Sequence, residues 1–287
     1  VFHPSKIEKF CIEYFNFNPN IDILRDDLIH PIVSGNKWRK LKYIIEDFEK
    51  SGKKTLVTFG GAYSNHLIAT AVACQLKNIA SVGFVRGDEI RPMNHYEEIC
   101  IKNNMKLMHV SRADYRNKTT LFNKYFDSES AYFVDEGGYH PMALKGCEEI
   151  TYEFKIDYDY IILSLGTGTT MEGITKAIQE RKLKTKVIGI SSLKNNFELD
   201  ERMSKYSTDY WQIFHDFHRG KYAKMDKELF DVIEKIYIET GIKTDPIYTA
   251  KMIMAVKHLY DEHLLKKGDK VLLIHTGGTQ SFDTNQF

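Results

Sequence analysis

Ser34-Gly35-Asn36-Lys37-Trp38-Arg39-Lys40-Leu41 sets three cations within four residues just where a helical pattern begins. The dipole at that end of a helix favours anions instead, so an anionic group would find compensation there. A lysine that forms an imine must first reach its neutral form, and a partly desolvated position near other cations lowers its pKa in that direction. Lys37 and Lys40 stand three apart and would project from nearby faces of a helix. One can hold an aldehyde carbon while the other pairs with a phosphate. A solvated basic helix start is the plainer alternative, and these residues alone do not exclude it.

A second constellation, Gly166-Thr167-Gly168-Thr169-Thr170, follows the apolar run Tyr160 to Leu165 and leads into a helical pattern. Backbone N–H groups and hydroxyls gathered there form a phosphate cradle. It lacks the lysine of GxxxxGK[ST], which excludes an NTPase P-loop. It also fails GxGxxG, because Met171 stands where the third glycine belongs, and the next strand ends in Ser191 and Ser192 rather than in an acid for a ribose. A nicotinamide dinucleotide is thereby disfavoured, and a tight turn with no ligand stays open.

Ser64 and Asn65 follow Gly60-Gly61-Ala62-Tyr63 at a plausible N-cap. Capping alone explains Ser64; the functional reading gives its hydroxyl and the nearby N–H groups a substrate carboxylate, and gives Asn65 a phenolic cofactor oxygen. Asp245-Pro246-Ile247-Tyr248-Thr249 opens another helix with an aspartate cap before proline, and Tyr248 is either core or site. His275-Thr276-Gly277-Gly278 follows Val271 to Ile274, where a histidine is most simply structural. Neither GxSxG nor HExxH is present, and no metal-ligand spacing is found, so no metal is expected.

The elements that must position these residues are short apolar strands alternating with helices, the signature of parallel βα units in an α/β chain. Strands are predicted at 55–59, 80–86, 106–110, 160–165, 186–191 and 270–275, and helices at 39–50, 64–76, 94–103, 171–182, 226–240 and 248–265. In such sheets ligands gather at the carboxyl ends of strands, so the glycine turns are expected to line one cleft.

Forty basic and thirty-nine acidic residues among 287 give a formal net charge of +1, with no like-charge block of a nucleic-acid footprint. A small-molecule partner fits better. Cys11, Cys74, Cys100 and Cys147 form no CxxC pair, which points to a reducing cytoplasm rather than a zinc site or a disulfide framework. No run approaches the roughly eighteen apolar residues of a membrane span, and the first residues lack the apolar core of a signal peptide. The expectation is a soluble cytoplasmic protein without a membrane or nucleic-acid partner.

Taken in order, these segments resemble the family of D-cysteine desulfhydrase and 1-aminocyclopropane-1-carboxylate deaminase, pyridoxal-phosphate (PLP) enzymes of the two-lobed tryptophan-synthase-β-like fold (PLP fold type II), with parallel sheets flanked by helices. Gly35 to Leu41 looks like the family's GNKxRKL, and the resemblance spans nearly the whole chain. It implies a pyridoxal 5'-phosphate cofactor held as a Schiff base by Lys37. It further implies Asn65 at the ring oxygen, Gly166, Thr167, Gly168, Thr169, Thr170 and Lys40 at the phosphate, and Ser64, Tyr222 and Tyr248 facing a small amino-acid substrate. A smaller α/β domain over 42–145 would be inserted into a large cofactor-binding domain of 1–41 plus 146–287, in a homodimer.

Two positions separate the branches. Thr249 stands where the cyclopropane deaminases carry glutamate, and His66 where they usually carry glutamine, so the chain is more similar to the desulfhydrase branch. A threonine hydroxyl at the pyridine nitrogen leaves that nitrogen largely unprotonated, which weakens the electron sink but suffices for a good thiolate leaving group. The expected activity is therefore deaminating elimination, D-cysteine to pyruvate, sulfide and ammonia. The alternatives are 1-aminocyclopropane-1-carboxylate deamination, a serine or threonine dehydratase or racemase, and a non-catalytic amino-acid-binding relative. Tyr63 and the Asp135 to His140 segment depart from both branches.

Overall fold

The computed structural model describes residues 2–87, 92–154, 156–194, 196–220 and 226–279. Its strands are β1 (Ile7–Lys9), β2 (Ile21–Leu24), β3 (Thr55–Gly61), β4 (Ala80–Arg86), β5 (Met105–Val110), β6 (Ala131–Val134), β7 (Tyr160–Leu165), β8 (Lys186–Ser191), β9 (Trp211–Phe214) and β10 (Val271–Ile274). Its α-helices are α1 (Asn36–Ser51), α2 (Asn65–Leu76), α3 (His95–Lys102), α4 (Lys118–Tyr125), α5 (Pro141–Glu148), α6 (Thr169–Glu180), α7 (Glu198–Met203), α8 (Lys227–Thr240) and α9 (Thr249–Asp261). They form two compact units, residues 1–30 with 147–287, and residues 31–146.

The first unit holds a six-stranded sheet in the order β1-β2-β10-β7-β8-β9. Every pair is parallel except β1 with β2, an antiparallel edge that the βα pattern does not announce. Side chains alternate cleanly along the central strands. Ile162, Ile188, Ile190 and Leu273 pack with α8 and α9, whereas Ile161, Leu163, Val187 and Leu272 pack with α6 and α7. A sheet covered on both faces has apolar strands throughout, which is why these runs are visible in the sequence. Truncating any one of these buried leucines or isoleucines to alanine costs about 2–5 kcal/mol. Register aligns Leu165 with Ser191, and Leu163 with Ile274 and Gly189, so the glycine and threonine turns leave neighbouring strands at nearly one level.

The second unit is a four-stranded parallel sheet in the order β5-β4-β3-β6. One face packs Val57, Phe59, Val82 and Phe84 with Leu121 and Phe122 of α4; the other packs Leu56, Tyr132 and Val134 with Ile44 and Phe48 of α1 and Ala143 of α5. Two glycines set close approaches. A Cβ at Gly60 would lie 2.6 Å from Ser64 Oγ and 2.7 Å from Leu67 Cγ, so the turn into α2 closes only without one. A Cβ at Gly146 would overlap the Arg39 carbonyl oxygen, so α5 crosses directly over the first turns of α1.

The boundaries differ from the sequence pattern where polar residues open a helix. α1 starts at Asn36 rather than Arg39, and α6 at Thr169 rather than Met171. Gly35 and Gly168 carry the positive φ angles, 60° and 75°, that turn the chain into these helices. At its other end α9 stops at Asp261, before the pattern's Leu265, where His263 turns left-handed at φ 58°.

Candidate active site

In the unit of residues 31–146, Lys37 and Lys40 both lie in the first turns of α1. Lys37 is partly buried, while Lys40 is only 2% exposed and donates from Nζ to the Gly137 carbonyl at 3.0 Å. That carbonyl is delivered by the Asp135 to Gly138 turn, whose two glycines both adopt left-handed backbone, φ 68° and 74°. The acids of this turn are paired: Lys118 Nζ lies 3.1 Å from Asp135 and 3.6 Å from Glu136. The departure at Asp135 to Gly138 is thus a structural device that seats Lys40. His140 completes the segment, its Nε2 3.2 Å from the Tyr132 hydroxyl and its Nδ1 accepting from the Met142 N–H.

Ser64 is the N-cap of α2, with Oγ accepting from the Leu67 N–H at 3.3 Å. The cap occupies a lone pair of the hydroxyl and leaves its proton to donate. Asn65 follows as the first helical residue, its Oδ1 buried and without a hydrogen-bond partner among the described residues. His66 is 2% exposed and Nε2 lies 2.7 Å from Thr58 Oγ1, which donates its own proton to the Val134 carbonyl. The shared hydroxyl therefore accepts from Nε2–H, and Nδ1 is left as a lone-pair acceptor. Burial, and then the charges of Lys37 and Lys40, hold the imidazole well below its ordinary 6.5, so it is neutral. Lys37, Lys40 and His66 are thus neighbours in this unit. Tyr63, 66% exposed, stacks edge-on against Tyr96 with ring centroids 5.8 Å apart.

In the other unit the cradle runs from the end of β7 into α6. Thr167 and Thr169 hydroxyls are 3.3 Å apart, and the buried Thr170 Oγ1 has no partner among the described residues. Tyr248 lies against the cradle, since a Cβ on Gly166 would sit 3.5 Å from its Cε1 and its hydroxyl. Asp245, 1% exposed, fixes that tyrosine by accepting the N–H groups of Ile247, Tyr248 and Thr249 at 2.9, 2.7 and 3.0 Å. Thr249 is fully buried and its hydroxyl has no partner among the described residues. His275 has the structural role expected of it, with Nε2 at 2.7 Å from the Lys243 carbonyl and Nδ1 accepting from the Gly277 N–H. Tyr222 lies outside the described residues.

The sequence reading missed Asn196 and Arg202, which hydrogen-bond the cradle's carbonyls from 30 and 35 residues away. Neither stands in a motif. Buried polar atoms without partners in the folded chain are met by water, an ion or a ligand. Taken unit by unit, residues 31–146 offer an amine for an aldehyde, and the other unit offers a glycine and threonine cradle for a phosphate with buried hydroxyls able to donate to ring heteroatoms. They fit a phosphorylated aldehyde cofactor.

The fold and these residues define a cofactor-dependent enzyme of the α/β class. The chain belongs to the pyridoxal-phosphate dependent enzyme family, whose sequence model matches residues 16–277, and pyridoxal 5'-phosphate is its cofactor. Among similar proteins, one from Thermotoga maritima, provisionally named a 1-aminocyclopropane-1-carboxylate deaminase, is 26% identical across 96% of this chain and 93% of its own. The mitochondrial bifunctional D-cysteine desulfhydrase/1-aminocyclopropane-1-carboxylate deaminase of Arabidopsis thaliana is 25% identical across 96% of this chain and 76% of its own. The crystal structure of an ACC deaminase homologue superimposes with a TM-score of 0.84 at 21% identity, over 96% of this chain and 90% of that one, a likeness of fold.

Proposed function

We propose that this chain eliminates the β-substituent and the amino group of a small amino acid, with D-cysteine and water giving pyruvate, sulfide and ammonia. The observation that carries the reading is Thr249, fully buried, with a hydroxyl that has no partner among the described residues. A hydroxyl donates to a pyridine nitrogen without charging it, whereas a carboxylate there would keep the nitrogen protonated. When bound, the cofactor supplies a conjugated ring that accepts the electrons released at the substrate's α-carbon. A ring with a neutral nitrogen accepts them less strongly, which suits a substrate whose thiolate departs readily.

The chain's own residues do the rest. Lys37 would hold the cofactor's aldehyde carbon, and its amine in the neutral form would take the substrate's α-proton. Ser64 and the first N–H groups of α2 bind the substrate carboxylate, and Asn65 meets the cofactor's ring oxygen. Gly166, Thr167, Gly168, Thr169, Thr170 and Lys40 would hold the phosphate, while Tyr248 would face the substrate. In this reading the enzyme is a cytoplasmic homodimer, and its four free cysteines agree with a reducing compartment.

A second reading, opening of the cyclopropane ring of 1-aminocyclopropane-1-carboxylate, has the name of the Thermotoga maritima relative in its favour, while that of the Arabidopsis thaliana relative carries both activities. That substrate has no α-proton, so Ser64, Tyr222 or Tyr248 would have to act at the β-carbon. The test begins with purified protein incubated with pyridoxal phosphate: a visible absorbance band appears in the wild type and is lost in Lys37→Ala. A panel of D- and L-cysteine, D- and L-serine and 1-aminocyclopropane-1-carboxylate follows, read by keto acid, ammonia and sulfide. D-cysteine is expected to show the highest kcat/KM. Faster turnover of the cyclopropane substrate overturns the first reading in favour of the second.

A further inference from the structure

The phosphate cradle is held from behind by a segment that no motif marks. Asn196 Nδ2 donates to the Gly166 carbonyl at 3.2 Å, and Arg202 Nη2 donates to the Thr167 carbonyl. Leu199 of the same segment closes over Gly168: a Cβ there would lie 2.5 Å from Leu199 Cδ2 and 2.6 Å from Arg202 Nη2. A trans peptide unit points its C=O and the N–H that follows in opposite directions. With the Gly166 and Thr167 carbonyls both drawn toward α7, the N–H groups of Thr167 and Gly168 face the other way, as a cradle for phosphate oxygens requires.

Arg202 is also paired as an ion, with no hydrogen bond at its Nε among the described residues. Its Nε lies 3.1 Å from Glu172 Oε2, and Lys205 Nζ lies 2.6 Å from Glu172 Oε1. Glu172 sits in the first turn of α6, the helix that the cradle opens, and its side chain is 1% exposed. A carboxylate buried to that degree needs cationic partners, so the pairing ties α7 to the helix start and keeps the guanidinium at the Thr167 carbonyl.

We propose that Arg202 and Asn196 are positioning residues for the cofactor's phosphate, orienting the cradle's peptide planes, with Glu172 and Lys205 holding Arg202 in place. This rests on the reading of Gly166 to Thr170 as the phosphate site. The guanidinium donates to the carbonyl from Nη2 while its Nε end stays beside Glu172, two tasks that the single ammonium of a lysine can do only in part.

The test compares pyridoxal phosphate with pyridoxal, which has the aldehyde and ring but no phosphate. Dissociation constants come from titration of the visible band in wild type, Arg202→Met, Arg202→Lys and Asn196→Ala. Arg202→Met is expected to weaken pyridoxal phosphate about tenfold or more, the effect of losing a charge-assisted hydrogen bond, and to leave pyridoxal within about twofold. Asn196→Ala and Arg202→Lys shift the same ratio by less, and the 31P resonance of the bound cofactor moves toward its free position in the order of the affinity losses. Asn196 is only partly buried, so Asn196→Ala keeps the test open should Arg202→Met fail to melt cooperatively. Equal losses for both ligands, or no change for either in folded variants, overturn the proposal. A wild type that binds pyridoxal as tightly as pyridoxal phosphate refutes the cradle itself and the proposal with it, whereas a wild type with no visible band refutes the function of Lys37.

Discussion

A histidine flanked by two lysines and sealed from water has one comfortable state, the neutral one, and His66 is built to keep it. Its Nε2–H is committed to Thr58, whose own proton goes to Val134, so the tautomer is set by a β-strand rather than by solvent. Burial and the charges of Lys37 and Lys40 lower its pKa well below 6.5. The consequence for stability has a definite sign. Above pH 6.5 neither the folded nor the unfolded ring binds a proton; below it the unfolded ring does and the folded one does not, so stability falls as the pH drops. His66→Gln keeps an amide within reach of Thr58 and cannot titrate. Urea denaturation of the apoprotein at pH 7, 6 and 5 is expected to show a stability gap between variant and wild type that shifts toward the variant on acidification. The shift approaches about 1.4 kcal/mol per pH unit below 6.5. Parallel pH profiles would mean that His66 takes up its proton in the folded chain.

Elements deliver these side chains by devices of very different visibility. Asp245 anchors α9 by accepting three successive backbone N–H groups, and its turn is joined to β10 through the bond between His275 and the Lys243 carbonyl. Asp245→Ala removes the acceptor of all three donors, of which the Thr249 N–H is buried, and is expected to lower stability by about 1–2 kcal/mol. Because the same cap orients Tyr248 and Thr249, the variant should also weaken cofactor binding, measured by titration of the visible band; an unchanged melting temperature would show that water replaces the cap. The capping aspartate was legible beforehand, since an aspartate before proline after a glycine turn is a local signal, although the N-cap position of α9 itself falls at Tyr248. So were β3, β4, β7, β8 and β10, because parallel strands covered on both faces are apolar throughout. α7 was not, since Glu198 to Met203 alternates charges like a solvated stretch. Only the folded chain shows Leu199 and Met203 in the core and Arg202 at a carbonyl. β1, β2 and β9 are three or four residues long and each is interrupted by a polar residue, unlike the equally short but wholly apolar β10, so no apolar run marks them.

At the scale of the whole chain, burial sorts the four thiols in a way that reports on folding and on the cofactor together. Cys11 is exposed, whereas Cys74, Cys100 and Cys147 are buried. Burial pushes the thiols of Cys74 and Cys100 up to about 12, and the thiolate is the reactive form. A disulfide reagent at pH 8 should therefore label one thiol of the native protein quickly and all four only in denaturant, with Cys11 identified by mass spectrometry. Labelling of Cys74 then requires its unit, residues 31–146, to open. Lys37 belongs to that unit, so a ligand held by Lys37 suppresses the opening by mass action. At a free concentration of about a hundred times the dissociation constant the stabilisation is about 2.7 kcal/mol, which slows labelling about a hundredfold. Pyridoxal phosphate is thus expected to protect Cys74 in the wild type, to protect it far less in Lys37→Ala, and to leave the rate at Cys11 unchanged. Rapid native labelling of Cys74 would refute the packing of α2 against β3. Equal protection in wild type and Lys37→Ala would separate cofactor binding from the lysine.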